Sequence, residues 1–372
     1  MKIIAFYLPQ FHSIPENDKW WGKGFTEWVN VRKATSLFEN HYQPRVPLDK
    51  NYYNLLDYKT MEWQVSLANK YNVYGFCFYH YWFSGKKLLE KPVEMFLKNK
   101  SLNTNFCLCW ANESWTNVWA NGNANVIMEQ AYGTKEDWKL HFDYLLKYFK
   151  DKRYICNNNK PLLVIYRPEL IDCLPEMLDY WNDLAKENGF NGIDYAYQNV
   201  SYALSPLCNN DLFSYAIEYQ PNWALSLRKE SKFQHVKKNV LLFFEKNMKI
   251  NLREKLQAFS KLSVEDYDDI WNYILKMKPR SDISVPGAFV DWDNTPRKGN
   301  RGLVINNASP EKFEKYLIKL IKKAKYEYKK DMIFIFAWNE WAEGGYLEPD
   351  EKNKYGYLEA IKKALEETSE DE

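Results

Sequence analysis

A chain of 372 residues, 46% hydrophobic and 27% charged, has a globular composition and is long enough for two ordinary domains or one large α/β barrel. Its formal net charge of +2, with lysines and acids interspersed, gives no electrostatic case for nucleic acid or an anionic membrane as partner. The outlier is an aromatic share of 17%, with 15 Trp and 28 Tyr, more rings than a core alone needs. Surplus Trp and Tyr suit stacking on the flat apolar faces of sugars while the polar tip hydrogen-bonds.

The first buried strand is expected over residues 2–8, closed by Pro9. A long aromatic loop follows over residues 10–56, holding His12, Trp20, Trp21, Phe25, Trp28 and His41. Loops this long without secondary structure of their own are usually functional or disordered, and so many tryptophans argue against disorder. Asp57 caps a helix whose apolar face is Met61, Val65 and Ala68, and a second strand runs over 73–79 into His80, Tyr81 and Trp82. A helix over 88–97 precedes a third strand at 105–110, which ends in Ala111-Asn112-Glu113-Ser114-Trp115. Thr134 caps the next helix, with Trp138, Phe142, Leu145 and Phe149 on one face. The fourth strand, 161–166, ends at Arg167, and a helix with Met177, Trp181 and Leu184 stops at Gly189.

Strands five, 193–197, and six, 213–217, end at Gln198 and Glu218. The lysine-rich stretch from about 219 to 262 lacks clean periodicity and reads as an insertion in the sixth loop. Ser263 and Asp266 begin a helix through Ile270 and Ile274, and the seventh strand, 285–290, ends in Asp291-Trp292-Asp293. Ser309-Pro310 opens an amphipathic helix, the eighth strand spans 332–338, and a helix near 358–365 closes the chain. Eight strands alternating with helices, with no linker or low-complexity tract, predict an α/β fold: a single (β/α)8 barrel domain over residues 1–372.

In such a barrel, residues just past the strand ends converge on one rim. The expected set is Tyr7 and Gln10, Tyr79 and His80, Asn112 and Glu113, Arg167, Gln198, Glu218, Asp291 and Asp293, and Asn339, Glu340 and Glu343. Trp110, Trp115, Trp338 and Trp341 lie beside them as aromatic platforms, and Trp28 of the first loop is a further candidate for sugar binding. Carboxylates for proton transfer, amides and Arg for hydroxyls, and flat rings are what making or breaking a glycosidic bond requires.

Glu340 and Glu343 are the sharpest pair. Three apart at the start of a helical turn, they share a face, so both carboxylates enter one pocket. Crowding then splits their pKa values into one proton donor and one base. The competing reading makes them solvated acids at a helix N-terminus; the apolar and aromatic residues on both sides disfavour it. Glu113 either holds a sugar hydroxyl or pairs with Arg167. His12, His41, His141 and His235 read as structural or exposed.

Asp291-Trp292-Asp293 is an Asp-x-Asp, which in sugar-nucleotide transferases chelates a divalent ion, but its place on a barrel strand and the lack of a Gly-rich phosphate loop disfavour a metal. No cofactor and no metal are expected. The six cysteines show no framework spacing and read as reduced, buried thiols. No signal-like N-terminal segment or membrane-length apolar run is present, which favours the cytoplasm; a mature secreted or periplasmic form would look the same.

Three stretches carry a resemblance: residues 20–28 (Trp-Trp-Gly-Lys-Gly-Phe-Thr-Glu-Trp), 41–44 (His-Tyr-Gln-Pro) and 337–344 (Ala-Trp-Asn-Glu-Trp-Ala-Glu-Gly). They resemble the WbsX-type proteins of bacterial surface-polysaccharide clusters, which are similar to the endo-α-mannosidases of glycoside hydrolase family 99. The resemblance covers residues 2–364 and implies a (β/α)8 barrel with retaining chemistry. It also implies that Glu340 deprotonates the substrate's own 2-hydroxyl to give a 1,2-anhydro sugar, while Glu343 acts as acid and then base. The departures are Ala342, where the mannosidases tend to have His, and Gly345, where they tend to have Thr; both are expected to line the site. The expected function is cleavage of an α-glycosidic, mannoside-like bond in an oligo- or polysaccharide. The alternatives are a glycosyltransferase of surface-polysaccharide assembly and a non-catalytic glycan-binding protein.

Overall fold

The computed structural model describes residues 1–116, 126–200, 210–228 and 261–369. Nine parallel strand segments build the central sheet: β1 (Lys2–Tyr7), β2 (Gly75–Phe83), β3 (Asn105–Trp110), β4 (Lys160–Ile165), β5 (Asp194–Asn199), β6 (Tyr215–Glu218), β7 (Ser284–Val285), β8 (Gly287–Phe289) and β9 (Met332–Phe336). The ladder runs β7-β6-β5-β4-β3-β2-β1-β9-β8. Its two ends, β7 and β8, are consecutive in the chain and separated only by Pro286. The expected seventh strand is therefore one strand broken at a proline that cannot donate to a ladder; its first half pairs with β6 and its second with β9. With that break the ladder makes a nearly closed (β/α)8 barrel.

The strands are apolar because both of their faces are covered. All nine residues of β2 are buried, as expected of a parallel strand between a filled barrel and a helical layer. Inside the barrel the Phe6 ring meets Tyr79, Tyr219 and Phe334 at centroid distances of 5.7, 5.5 and 5.5 Å. On the outer face Tyr7 packs at 4.4 Å against Phe78, which meets Phe96 of the helix Lys91–Lys98.

Several of the helices begin at a side-chain cap that satisfies a free N–H group. Asp57 accepts from the Lys59 N–H ahead of Tyr58–Lys70, and the Asp137 carboxylate accepts from Thr134 N–H at the start of Lys135–Phe149. Asp266 caps Tyr267–Lys276, so that helix starts later than expected: Ser263–Asp266 is a strand paired with Leu303–Asn306. The helix expected over 88–97 likewise begins at Lys91, because Lys86–Leu88 folds back to pair with the end of β2.

The long first loop is not structureless. It carries two short helices, Pro15–Trp21 and Glu27–Lys33, and is tied down by Trp28, whose indole N–H donates to the Tyr53 carbonyl at 2.8 Å. Of the expected insertion at 219–262, the start forms the helix Asn222–Arg228, and residues 229–260 lie outside the described residues. Cys77, Cys107 and Cys109 are buried as expected, whereas Cys156 is exposed on the short strand Cys156–Asn157; Cys208 lies outside the described residues. No helix among the described residues is long and apolar enough to cross a membrane.

Candidate active site

Past β9 the chain forms a hairpin in which Asn339–Glu340 pairs antiparallel with Gly345–Tyr346. Residues Trp341–Glu343 make a single 3-10 turn, and Gly344 closes it at φ 74°, a left-handed conformation that suits glycine. Glu340 precedes this turn and Glu343 ends it, so the hairpin presents both to one side without the helical turn expected from sequence. Asn339 stitches the hairpin to the end of β1: its Oδ1 accepts from Leu8 N–H at 2.8 Å and its Nδ2 donates to the Leu8 carbonyl at 3.0 Å.

One guanidinium grips both carboxylates. Arg297 Nη1 lies 2.8 Å from Glu343 Oε1 and Nη2 lies 3.0 Å from Glu340 Oε1. A third carboxylate completes the cluster, with Glu27 Oε2 3.2 Å from Nη2 and 3.3 Å from Nε. Burial, then repulsion from Glu343 and Glu27, raises the Glu340 carboxyl well above the ordinary range, and Arg297 opposes that rise. The Glu340 side chain is 4% exposed and that of Glu343 17%, so the second is the more open to the cleft.

These carboxylates sit in a cleft of about 540 Å3, within the span of small-molecule sites. Trp20, Trp21, Phe25 and Trp115 supply its aromatic wall, and Tyr79, Tyr81, Tyr166, Tyr219 and Phe336 contribute from the strand ends. Of the residues expected at the rim, Gln10, Tyr79, Glu113, Trp115, Glu340 and Glu343 line this cleft.

The other expected residues face elsewhere, and the strand period explains most of them. Successive side chains alternate between barrel interior and helical layer, so of two neighbours at a strand end only one faces the cleft. Tyr7 points outward and donates to Gln64 Oε1 at 2.7 Å. His80 hydrogen-bonds His141 at 2.9 Å behind the barrel, and burial, helped by the charge of Lys87, pushes it down to about 3. Trp110 lies against His141, 4.7 Å between ring centroids. Glu218 accepts from Tyr328 at 2.9 Å, and burial raises it to about 7 despite that bond.

Asn112 clamps the Arg167 backbone, receiving its N–H and donating to its carbonyl, both at 2.7 Å. Arg167 itself is buried, 2.5 Å from Glu169 and 3.2 Å from Glu113, so it supports the cleft through Glu113. Gln198 donates to the Tyr79 hydroxyl at 3.1 Å from beneath. Trp28 and Trp341 pack on each other at 5.5 Å, and Trp341 stacks on Tyr346 at 3.8 Å. Ala342 and Gly345 are buried rather than lining the site; a Cβ on Gly345 would come within 2.3 Å of the Phe336 ring, so glycine there is what lets Phe336 form part of the cleft wall.

The Asp-x-Asp segment is engaged by protein donors. His41 Nε2 lies 2.8 Å from Asp293 Oδ2, Gln43 Nε2 donates to the same oxygen at 2.6 Å, and Thr295 donates its N–H and hydroxyl to Oδ1. Burial alone would raise Asp293; these bonds and the charge of Arg45 hold it at about 2. Asp291 pairs with Arg45 at 2.7 Å. The motif therefore anchors the loop bearing 41–45 and starts the short helix Thr295–Lys298 that presents Arg297. Strand parity would have pointed to Tyr81, Tyr166 and Tyr219; nothing in the sequence around Arg297 marks it.

In the whole-chain comparisons, the family described as Glycosyltransferase WbsX matches residues 3–361. Among curated proteins, the uncharacterized WxcX of Xanthomonas campestris pv. campestris (strain B100) is 35% identical over 370 residues, which is 98% of this chain and 49% of that protein. WxcX of a second strain is 35% identical over 366 residues. The chain thus spans about half the length of the curated relatives it matches. Among solved structures, a GH99 endo-alpha-mannosidase from Bacteroides thetaiotaomicron aligns over 99% of this chain and 97% of its own, with a TM-score of 0.57 at 13% identity. A glycoside hydrolase-like protein aligns over 98% and 93%, also with a TM-score of 0.57, at 11% identity. At such identities the structural likeness speaks for the fold, the nearly closed parallel barrel described above. The match over residues 3–361 decides the family: this chain belongs to the WbsX glycosyltransferase family.

Proposed function

We propose that this chain is a carbohydrate-active enzyme that cleaves an α-glycosidic, mannoside-like bond of an oligo- or polysaccharide with retention. The observation that carries this reading is the gripping of Glu340 and Glu343 by the two terminal nitrogens of one guanidinium, beside an aromatic-walled cleft. A shared fork favours the close carboxyl spacing of retaining enzymes, on the order of 5 Å, over the wider spacing of inverting ones. Glu340, the more buried, takes the proton of the sugar's 2-hydroxyl, whose oxygen attacks the anomeric carbon from the face opposite the leaving group. Glu343, the more open, protonates the leaving oxygen. It then removes a proton from the water that opens the 1,2-anhydro ring, and the proton on Glu340 returns to O2.

The family description favours a second reading, a glycosyltransferase using a nucleotide sugar. The charge of the cleft weighs against it. Among the described residues lining it are four carboxyls, Glu27, Glu113, Glu340 and Glu343, against two cations, Lys33 and Arg297, an acidic lining that disfavours a diphosphate.

Incubation with surface polysaccharides and α-mannans, with products read by mass spectrometry and NMR, separates the readings. Hydrolysis is expected, and Glu340→Gln and Glu343→Gln should each lower kcat by about 10²- to 10⁴-fold with the fold intact. Either variant at full activity would remove the assignment. Stabilisation by a nucleotide sugar with metal, without hydrolysis, would favour the transferase, and glycan affinity without any product a binding protein.

A further inference from the structure

Of the groups around the carboxylate pair, Arg297 has the geometry of a device. Its side chain is 13% exposed and sits between three carboxylates contributed by separate parts of the chain: Glu27 from the first loop, and Glu340 and Glu343 from the hairpin after β9. Burial, and then the negative charges of Glu343 and Glu27, make the Glu340 carboxyl hold its proton more readily than an isolated one, and Arg297 opposes them. A planar fork fixes two carboxylates in direction as well as distance, which a single ammonium cannot do.

Glu27 occupies the first turn of the helix Glu27–Lys33, and the neighbouring Trp28 packs on Trp341 within the 3-10 turn. The first loop therefore fastens to the hairpin twice, by an indole contact and by an ion pair through Arg297. We infer that Arg297, anchored by Glu27, is the positioning residue that sets the orientation and proton distribution of the Glu340–Glu343 pair.

This inference rests on the reading of that pair as catalytic, and its test separates the two. The ionisable groups facing Glu340 are Arg297, Glu343 and Glu27, with the Tyr81 and Tyr219 hydroxyls near enough to feel its charge. The full chain is labelled with glutamate 13C at the carboxyl carbon, the two signals are assigned from Glu340→Gln and Glu343→Gln, and both are titrated in the wild type, Arg297→Met and Arg297→Lys. Loss of the positive partner in Arg297→Met should move the Glu340 midpoint upward. Where a cleaved glycan is in hand, kcat near neutral pH should fall by about a hundredfold with KM little changed, and the limb of the kcat–pH profile that reports the base should move to higher pH. Arg297→Lys should bring the Glu340 midpoint back toward the wild type and recover only part of kcat.

If Arg297→Met does not fold, Arg297→Lys decides the matter, because a single nitrogen on a shorter stem cannot reproduce the separate contacts of Nη1 and Nη2, and at least one midpoint must shift. Unmoved midpoints in the folded variants, or a loss confined to KM, would overturn the inference. A wild type that cleaves no glycan would defeat the proposed function, while the titrations still decide the role of Arg297.

Discussion

At the scale of single residues, the area around the cleft is governed by buried carboxylates with unlike partners. Asp293 is ringed by His41, Gln43, Thr295 and the charge of Arg45 and stays ionised to low pH. Glu348 is equally buried but has only neutral donors: the Tyr53 hydroxyl at 2.7 Å, Gln64 Nε2 at 2.6 Å, and the indoles of Trp338 at 3.1 Å and Trp341 at 2.7 Å. Burial outweighs these four bonds and raises Glu348 to about 7. A carboxyl with a raised folded-state pKa adds stability that is complete below its unfolded value near 4.5 and is lost as pH rises through 7. Glu218 titrates in the same window with the same sign. These two acids should therefore make the unfolding free energy measured in urea fall between pH 5 and pH 8, against an opposing rise up to about pH 6.5 from His12, His80 and His141, which burial keeps neutral. In Glu348→Gln that fall should shrink by a few kcal/mol at most, and an unchanged slope would contradict the burial argument.

Among the elements, the split strand and the hairpin are where the backbone is most constrained. Gly287 opens β8 directly after the proline break, and a Cβ there would lie 1.8 Å from the backbone carbonyl oxygen of Glu218. A backbone atom in a neighbouring strand cannot swing aside as a side chain can. Gly287→Ala should cost about 3 kcal/mol or more, seen as a lower midpoint in thermal or urea unfolding. The hairpin after β9 was partly legible in sequence. Its apolar lead-in and two acids marked a strand end with chemistry beyond it. The turn type was not, because an acid three residues from another looks the same ahead of an α-helix, a 3-10 turn or a hairpin.

At the scale of the molecule, the long first loop is bound to segments more than 200 residues away. Arg45 reaches Asp291 at 2.7 Å and His41 reaches Asp293 at 2.8 Å, so residues of the first loop fix the segment that carries Arg297. Removing one side of a buried ion pair leaves the other charge uncompensated, at a cost of about 3–5 kcal/mol. Arg45→Met should lose stability of that order at pH 7. It should lose less at pH 5, because the stranded Asp291, already raised by burial, can then take up a proton. Equal losses at both pH values would mean the pair is not electrostatically coupled.

The sequence by itself determined the order of strands and helices, the class of barrel, the position of the first and last elements, and the placing of two acids past the last strand. Those features rest on local information: apolar runs, helical spacing and capping residues. Tertiary structure alone decided which residues face the cleft. Tyr79 enters and His80 does not, because a strand alternates its faces and the turn of the barrel sets the phase. It alone turned Asp291 and Asp293 into anchors, through partners in a loop some 250 residues earlier. Arg297 belongs to the same class: no local pattern announces a guanidinium whose three partners come from the two ends of the chain and meet only when the barrel closes.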